Sequence, residues 1–386
     1  MKRTITAAMA ISICVSAAVF GVPATYAADI ANWDEWSGRK ELTINTGKTG
    51  VEIQTPVADA PVLIRLHTGN FDQFLSVKED GGDLRFVGAD EKLFPHRVEL
   101  FDPINELALI WVRVPQLVPG AQNELTMYYG NAKAAAAAAS PESDATGIYD
   151  TNTVAVYHFD RSGAIQDSSR FGNHAHGVKV EPQPASLIAA GLRLTGGGAV
   201  TIPNSESLAW RDAGFTFSAW IKLASAQKDA VILSRRDGAK SFVLGVKDNA
   251  LSLRSPTATA APVIASAALT PGQWHHIAVA AGARTLVYLD GREVLASEVA
   301  APTMTGPIES GGAADKQLLI AEFDELQFAN VARNADWVKV AALGQGADAK
   351  LIAYGKGAAD EAHSSSYFAS ILQSVTVDGW AIIILL

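Results

Sequence analysis

The sequence predicts an all-β protein built around two antiparallel β-sandwiches. Three observations point there. Short segments rich in Val, Ile, Leu and aromatic residues recur along the chain, and Gly, Pro, Asp and Asn separate them. Asp290-Gly291 stands between two such segments as one of the strongest local hairpin signals, because both turn positions need positive φ. Strands at this short spacing fit sandwiches better than alternating strand–helix units. With 386 residues, 48% hydrophobic and 18% charged, the chain can bury one or two substantial cores and is far from the composition of disorder or collagen.

Residues 1–27 read as a signal peptide. Lys2 and Arg3 precede a mostly apolar run over 5–20, small residues follow at Thr25, Ala27 and Ala28, and cleavage is expected after Ala27. Its removal takes away two of the 31 basic residues and the only cysteine, Cys14, leaving 29 basic against 40 acidic and a net charge of −11. Disulfides, thiolate nucleophiles and cysteine-ligated metal centres are thereby excluded. An acidic chain without a basic cluster also gives no purchase on nucleic acid or an anionic lipid surface.

The first sandwich is expected over 33–131, with strands near 41–46, 62–66, 84–87, 107–114 and 124–129. The run Ala108-Leu109-Ile110-Trp111-Val112-Arg113-Val114 is almost continuously apolar, which predicts a strand covered on both faces, and Pro115 is expected to end it. Residues 132–151, with six alanines at 134–139 and then Pro141, read as a linker, since so short an alanine tract is a marginal helix. The second sandwich is expected over 152–343. Its strands fall near 154–159, 191–194, 215–223, 230–234, 241–246, 251–254, 275–280, 284–289 and 322–328, and one short helix over 336–343 covers an end of the sheet.

Residues 344–366 are small and polar and read as a tether. Residues 367–377 space aromatic and aliphatic side chains irregularly, as an interfacial helix would. Then Trp380-Ala381-Ile382-Ile383-Ile384-Leu385-Leu386 follows Asp378-Gly379. Seven apolar residues rise only about 10 Å as a helix, where a span needs roughly 20 residues. The segment reads equally as the start of a transmembrane helix, with Trp380 at headgroup level, or as a buried C-terminal strand.

Several motifs carry a resemblance. Asp83-Leu84-Arg85-Phe86, Phe94-Pro95-His96-Arg97-Val98-Glu99, Leu109 to Pro115 and Met127-Tyr128-Tyr129-Gly130-Asn131 follow one another in order. Together they resemble the exported domain of unknown function number 2341. The second region contains Tyr157-His158-Phe159-Asp160, Asp167-Ser168-Ser169, Phe215-Thr216-Phe217-Ser218-Ala219-Trp220-Ile221, Gly272-Gln273-Trp274-His275-His276-Ile277-Ala278, Tyr288-Leu289-Asp290-Gly291 and Phe323-Asp324-Glu325-Leu326. It resembles a LamG domain, a concanavalin A-like jelly roll. Both regions with Ser374-Val375-Thr376-Val377-Asp378-Gly379-Trp380 resemble the exported front half of MotA/TolQ/ExbB proton-channel proteins.

That resemblance implies a non-enzymatic sensing or docking region on the periplasmic side of the cytoplasmic membrane, anchored by a truncated transmembrane helix over 367–386. It implies envelope proteins or glycans and membrane channel subunits as partners. The pore-lining residues would lie beyond Leu386. The alternative is a secreted carbohydrate- or protein-binding module without a membrane role, and the third reading is a glycoside hydrolase.

The residues assign no catalytic, cofactor or metal site and leave the ligand site open. Retaining glucanases of this shape carry Glu-x-Asp-x-x-Glu or Glu-x-Asp-x-Glu, with carboxyls about 5 Å apart. In Glu322-Phe323-Asp324-Glu325-Leu326-Gln327 both patterns fail, at Gln327 and at Leu326, so the acids are expected to face water or a turn. His174 and His176 would share a strand face and His275 and His276 would point oppositely, one inward and one outward, with no zinc-ligand spacing around either pair. The LamG resemblance offers Asp160 and Asp167, which flank an early loop, as calcium ligands, but Asp167-Ser168-Ser169 has the form of a turn cap. Trp220 and Trp274 belong to apolar strands, whereas Trp210, between strands, is the better exposed sugar platform. Gly196-Gly197-Gly198 lacks the lysine and hydroxyl residue of a phosphate loop and reads as a flexible hairpin turn.

Overall fold

The computed structural model describes residues 33–134, 147–159, 163–254, 261–312 and 318–357. Six strands come first: β1 (Gly38–Asn45), β2 (Val57–His67), β3 (Arg85–Gly88), β4 (His96–Asp102), β5 (Leu107–Leu117) and β6 (Gln122–Tyr129). Thirteen follow: β7 (Thr153–Tyr157), β8 (His176–Gln183), β9 (Gly191–Ile202), β10 (Phe215–Leu223), β11 (Asp229–Asp237), β12 (Lys240–Lys247), β13 (Ala250–Arg254), β14 (Val263–Ala268), β15 (Trp274–Ala281), β16 (Thr285–Leu289), β17 (Arg292–Ser297), β18 (Ile308–Ser310) and β19 (Ile320–Ala329). Helix α1 (Ala335–Gln345) and strand β20 (Ile352–Gly357) complete the described chain.

The first body is a sandwich of a three-stranded sheet, β2-β5-β4, on a four-stranded one, β20-β1-β6-β3. Leu42 and Ile44 of β1, Leu125 and Met127 of β6, and Val62, Ile64, Ile110 and Val112 of β2 and β5 fill the space between. The period-2 pattern puts alternate side chains there. In β5 the other face is covered too, by an apolar cluster that holds Leu109 and Trp111, as the continuous apolar run predicts. Pro115 does not end the strand. The Arg113 N–H bonds Pro95 O at 2.8 Å, so the position two residues on faces the same side, where β4 has already stopped. An imino nitrogen there leaves no ladder bond unmade, and β5 continues beside β2 to Leu117.

The second body is one thirteen-stranded sheet that runs β14-β13-β12-β11-β18-β9-β19-β10-β15-β16-β17, with β7 added to β19 and β8 to β9. It curls around a core that includes Phe217, Leu244, Ile277, Val279, Phe323, Leu326 and Phe328. The end strands come together where Ser266 Oγ donates to Val294 O at 3.2 Å, giving a sandwich close to a barrel. Asp290 and Gly291 form the two-residue β16–β17 turn with φ of 50° and 76°. The three glycines at 196–198 lie inside β9 rather than at a hairpin end. They bulge opposite Lys179, and a Cβ on Gly198 would fall 1.9 Å from Val178 O.

Helix α1 does not close an end of the sheet but lies between the two bodies. Asn334 caps it, its side chain accepting from Trp337 N at 2.8 Å. One apolar cluster runs from the first sandwich through Trp337, Val338, Val340 and Ala341 to Ala278, Ala280 and Tyr288 on the outer face of the second sheet. Asp336 in its first turn accepts from Gln54 N, Thr55 N and Thr55 Oγ1 at 3.1, 2.8 and 2.7 Å.

Two expectations are corrected here. The segment 344–366 is not all tether, for β20 returns to pair with β1, Ile352 opposite Ile44 and Tyr354 opposite Leu42. The proposed start of a transmembrane helix over 367–386, like the signal peptide, lies outside the described residues. Among the described residues no helix is long and apolar enough to cross a membrane. Among the described residues the all-β class holds, and none of them forms the membrane helix expected beside it.

Candidate functional site

The outer face of the three-stranded sheet docks on the second body through an apolar cluster of Leu63, Leu109, Trp111, Ile148, Tyr149, Val156, Ile188 and Trp220. Inside this cluster four buried ionisable side chains come together, Glu99, His158, Asp324 and Glu325, with Tyr149 against them.

Backbone irregularities aim three of the four. The β4–β5 register passes from Val98 opposite Ile110 to Leu100 opposite Leu109, leaving Glu99 as the extra residue of a bulge. The β10–β19 register passes from Trp220 opposite Asp324 to Ser218 opposite Gln327, so Glu325 and Leu326 together face Ala219. Glu325 takes a φ of 50° there. This second bulge shifts the alternation by one, so that Phe323 and Leu326 enter the core of the second body while Asp324 and Glu325 both point out of it toward the first. His158 follows the end of β7 on the same face as Val156, and Phe159 after it turns with a φ of 58°.

His158 Nδ1 lies 2.7 Å from Glu325 Oε1 and 3.4 Å from Glu99 Oε2. Its Nε2 lies 2.8 Å from the Tyr149 hydroxyl. Trp111 Nε1 donates to Glu99 Oε2, and the Trp111 ring is 5.6 Å from the His158 ring. Asp324 Oδ2 accepts from Ile188 N at 2.8 Å. The Glu99, His158 and Glu325 side chains are 5%, 3% and 1% exposed, so water does not reach the group freely.

Burial dominates the electrostatics. It raises Glu99 to about 7 against the pull of His158, and the neighbouring Glu325 charge raises it further. Burial raises Glu325 to about 8 and Asp324 well above the usual carboxylate range, with Glu325 adding to the latter. It depresses His158 to about 4 despite Glu99 beside it. The imidazole is therefore neutral near pH 7, and its contact with Glu325 is a hydrogen bond rather than an ion pair. Chemically the group can hold protons or a cation. It cannot meet a polymeric substrate.

The residues singled out by sequence are dispersed. Glu322 alone of its motif reaches the surface, where Lys222 Nζ at 2.6 Å and Arg193 Nη2 at 3.2 Å hold it. Asp324 and Glu325, expected to face water or a turn, are buried by the bulge. His174 Nδ1 accepts from Asp167 N at 3.1 Å, and His176 is exposed in β8. His275 accepts from Thr270 N and lies 2.8 Å from Asp290 Oδ2. His276 is buried, but on the outer face of β15 rather than inside the second body, with Trp220 edge-on at 5.4 Å. Asp167 is a turn cap, accepting from Val156 N, Ser169 N, Ser169 Oγ and Asn173 N. Asp160 lies outside the described residues.

Trp210 is not an exposed platform. It is 2% exposed and stacked on Phe215 at 3.6 Å, with the Arg235 guanidinium 4.7 Å from its ring centroid. Trp220 is buried, and Trp274 is half-buried under Lys222. Sequence reasoning missed the Glu99–His158–Glu325 group because its members lie far apart in the chain; His158 and Glu325 are separated by 167 positions.

Residues 194–339 match the Concanavalin A-like lectin/glucanases superfamily. Residues 80–169 match a Domain of unknown function (DUF2341), a stretch that crosses the expected linker and takes in Glu99, Trp111, Tyr149 and His158. No curated protein matches the chain. Among solved structures, the binding domain of Paraclostridial Mosquitocidal Protein 1 is similar at 17% identity, over 50% of this chain and 52% of that one, with a TM-score of 0.43. Domain 4 of AbnA, a GH43 extracellular arabinanase from Geobacillus stearothermophilus in complex with arabinotriose, is similar at 16% identity, over 50% of this chain and 98% of that one, with a TM-score of 0.42. The binding domain of botulinum neurotoxin serotype G is similar at 13% identity over 50% of each chain, with a TM-score of 0.41. The chain spans about half the length of the first of these structures.

These matches correct the resemblance to MotA/TolQ/ExbB proteins, since neither matched family is a channel family. The channel-subunit partners, the membrane attachment and the periplasmic-side location inferred from it fall with it. Seven apolar residues at 380–386 suit a buried strand as well as the start of a span, so they carry no weight of their own toward a membrane.

Proposed function

We propose that the chain is a binding module whose concanavalin A-like body engages a glycan, without cleaving it. The superfamily description joins lectins to glucanases, and the disposition of the β19 acids favours the lectin side. A retaining glucanase needs two carboxyls about 5 Å apart flanking a bound sugar. Here Asp324 and Glu325 are 0% and 2% exposed, and Glu322 stands outside, neutralised by Lys222 and Arg193. That sealing of the acids is the observation that carries the reading. The test is a screen of the purified chain against immobilised polysaccharides, with reducing-sugar release measured on every polymer bound. Retention without release supports the proposal. Release that Glu322→Gln abolishes would replace it with hydrolysis, and retention of proteins but no glycan would replace the ligand class.

A further inference from the structure

The Glu99–His158–Glu325 group is built as more than a structural hydrogen bond. Its three residues come from β4, the end of β7 and β19, and one ligand atom from each lies within 4.8 Å of the other two. Glu99 Oε1, Asp324 Oδ1 and Glu325 Oε2 are buried with no donor in hydrogen-bonding geometry. The guanidinium groups of Arg65 and Arg97 favour the ionised form of Glu325 by their charge but make their hydrogen bonds elsewhere. Arg65 donates to the carbonyls of Leu187 and Gln345 and Arg97 donates to the Ser168 hydroxyl. Three enclosed carboxylates with orphaned oxygens are strongly unfavourable unless protons or a cation join them.

The surroundings suit a cation. A metal-bound imidazole is held by a partner on its second ring nitrogen, and a ligating carboxylate is itself hydrogen-bonded. Tyr149 at His158 Nε2 and Trp111 at Glu99 Oε2 stand in those two places. One imidazole nitrogen with two carboxylate oxygens is a donor set for zinc rather than calcium, which takes six to eight oxygens. We propose that Glu99, His158 and Glu325 bind one divalent cation of the zinc class, which pins the first body to the second. The proposal does not rest on the glycan-binding reading.

Because the site is closed, metal would enter as the chain folds. The chain, freed of any histidine tag, is to be refolded with zinc after chelation, and bound metal counted by mass spectrometry alongside thermal melts with and without zinc. About one zinc per chain is expected, with a melting temperature several degrees above that of the chelated protein. A cobalt-loaded sample should show the d–d absorption of a low-coordinate nitrogen–oxygen site. Glu325→Gln and Glu99→Gln should each abolish stoichiometric loading, and His275→Gln should not. Wild-type chain that folds with no bound zinc, and whose melting ignores zinc and chelator alike, would overturn the proposal and leave a proton-sharing network. The wild-type measurement decides the matter even if the variants fail to fold.

Discussion

Replacing His96 by phenylalanine should flatten the acid dependence of stability. His96 opens β4 and is 2% exposed, its ring set edge-on to Phe86 at 5.2 Å. Neither ring nitrogen has a partner in hydrogen-bonding geometry. Burial depresses its pKa to about 3, and the Arg85 guanidinium beside it adds to the shift, while the backbone at Phe94 and Leu84 opposes it. The unfolded chain regains a histidine pKa near 6.5. The folded state thus keeps the ring neutral while the unfolded state takes up a proton below about pH 6.5. The stability contributed by this group is complete above that pH and is lost as pH falls toward 3. At about pH 5 the loss is roughly 1.5 pH units at 1.36 kcal/mol each, or about 2 kcal/mol.

The assay is urea unfolding of wild type and His96→Phe at about pH 8 and pH 5, read as a difference of differences. Any packing cost of the slightly larger ring is common to both pH values and cancels. The variant should lose about 2 kcal/mol less than wild type between the two. Equal losses would mean that His96 finds a proton partner or solvent in the folded protein, and the reasoning from burial would be wrong.

Three further outcomes follow from the packing. Trp111→Ala, at a fully buried position, should cost about 3–5 kcal/mol in chemical denaturation, because it opens a cavity between the bodies and strips Glu99 of its indole donor. Asp336→Ala should cost about 2–3 kcal/mol by the same measurement, since it leaves two backbone N–H groups at Gln54 and Thr55 without their acceptor. Gly291→Ala should lower stability by about 1–2 kcal/mol in thermal melts: the turn needs φ of 76°, and the new Cβ would sit 3.3 Å from Ala342 Cβ.

Much of the strand plan is legible because apolar alternation and turn residues are local signals. Residues 215–223 form the strand expected of them, and Asp290-Gly291 makes the expected turn. What escapes is any feature that depends on one residue too many. Strict alternation puts Leu326 on the face of Asp324, yet the bulge at Glu325 sends Leu326 into the core and both acids outward. Nothing in Glu-Phe-Asp-Glu-Leu-Gln marks where the extra residue falls, and the same holds for Glu99 in β4. Trp210 escapes for a different reason. Its loop position predicts exposure, but a bridge to Met304 and the stack on Phe215 bury it. Strand β20 pairs with β1 across nearly the whole chain, and its small polar residues carry no sign of that partner.

The two bulges also explain why the ionisable group sits where it does. An antiparallel sandwich exposed on its outer faces would alternate apolar inward and polar outward. The outer face of β5 departs from this with Leu109 and Trp111, and that of the second body with Val156 and Trp220, so each body hides apolar surface only by meeting the other. A purely apolar contact of this kind is tolerant of sliding and rotation, since dispersion and burial have little direction. Glu99 and Glu325 reach the centre of that contact from opposite sides because a bulge re-aims each of them, and His158 between them has directed bonds to make on both ring nitrogens. A displacement of one strand residue between the bodies would separate Glu99 from His158, which the pairing of β7 with β19 keeps beside Glu325. The polar centre therefore contributes orientation to an interface whose stability comes from the apolar rim, and it fixes the surfaces of both bodies relative to one another for whatever ligand they meet.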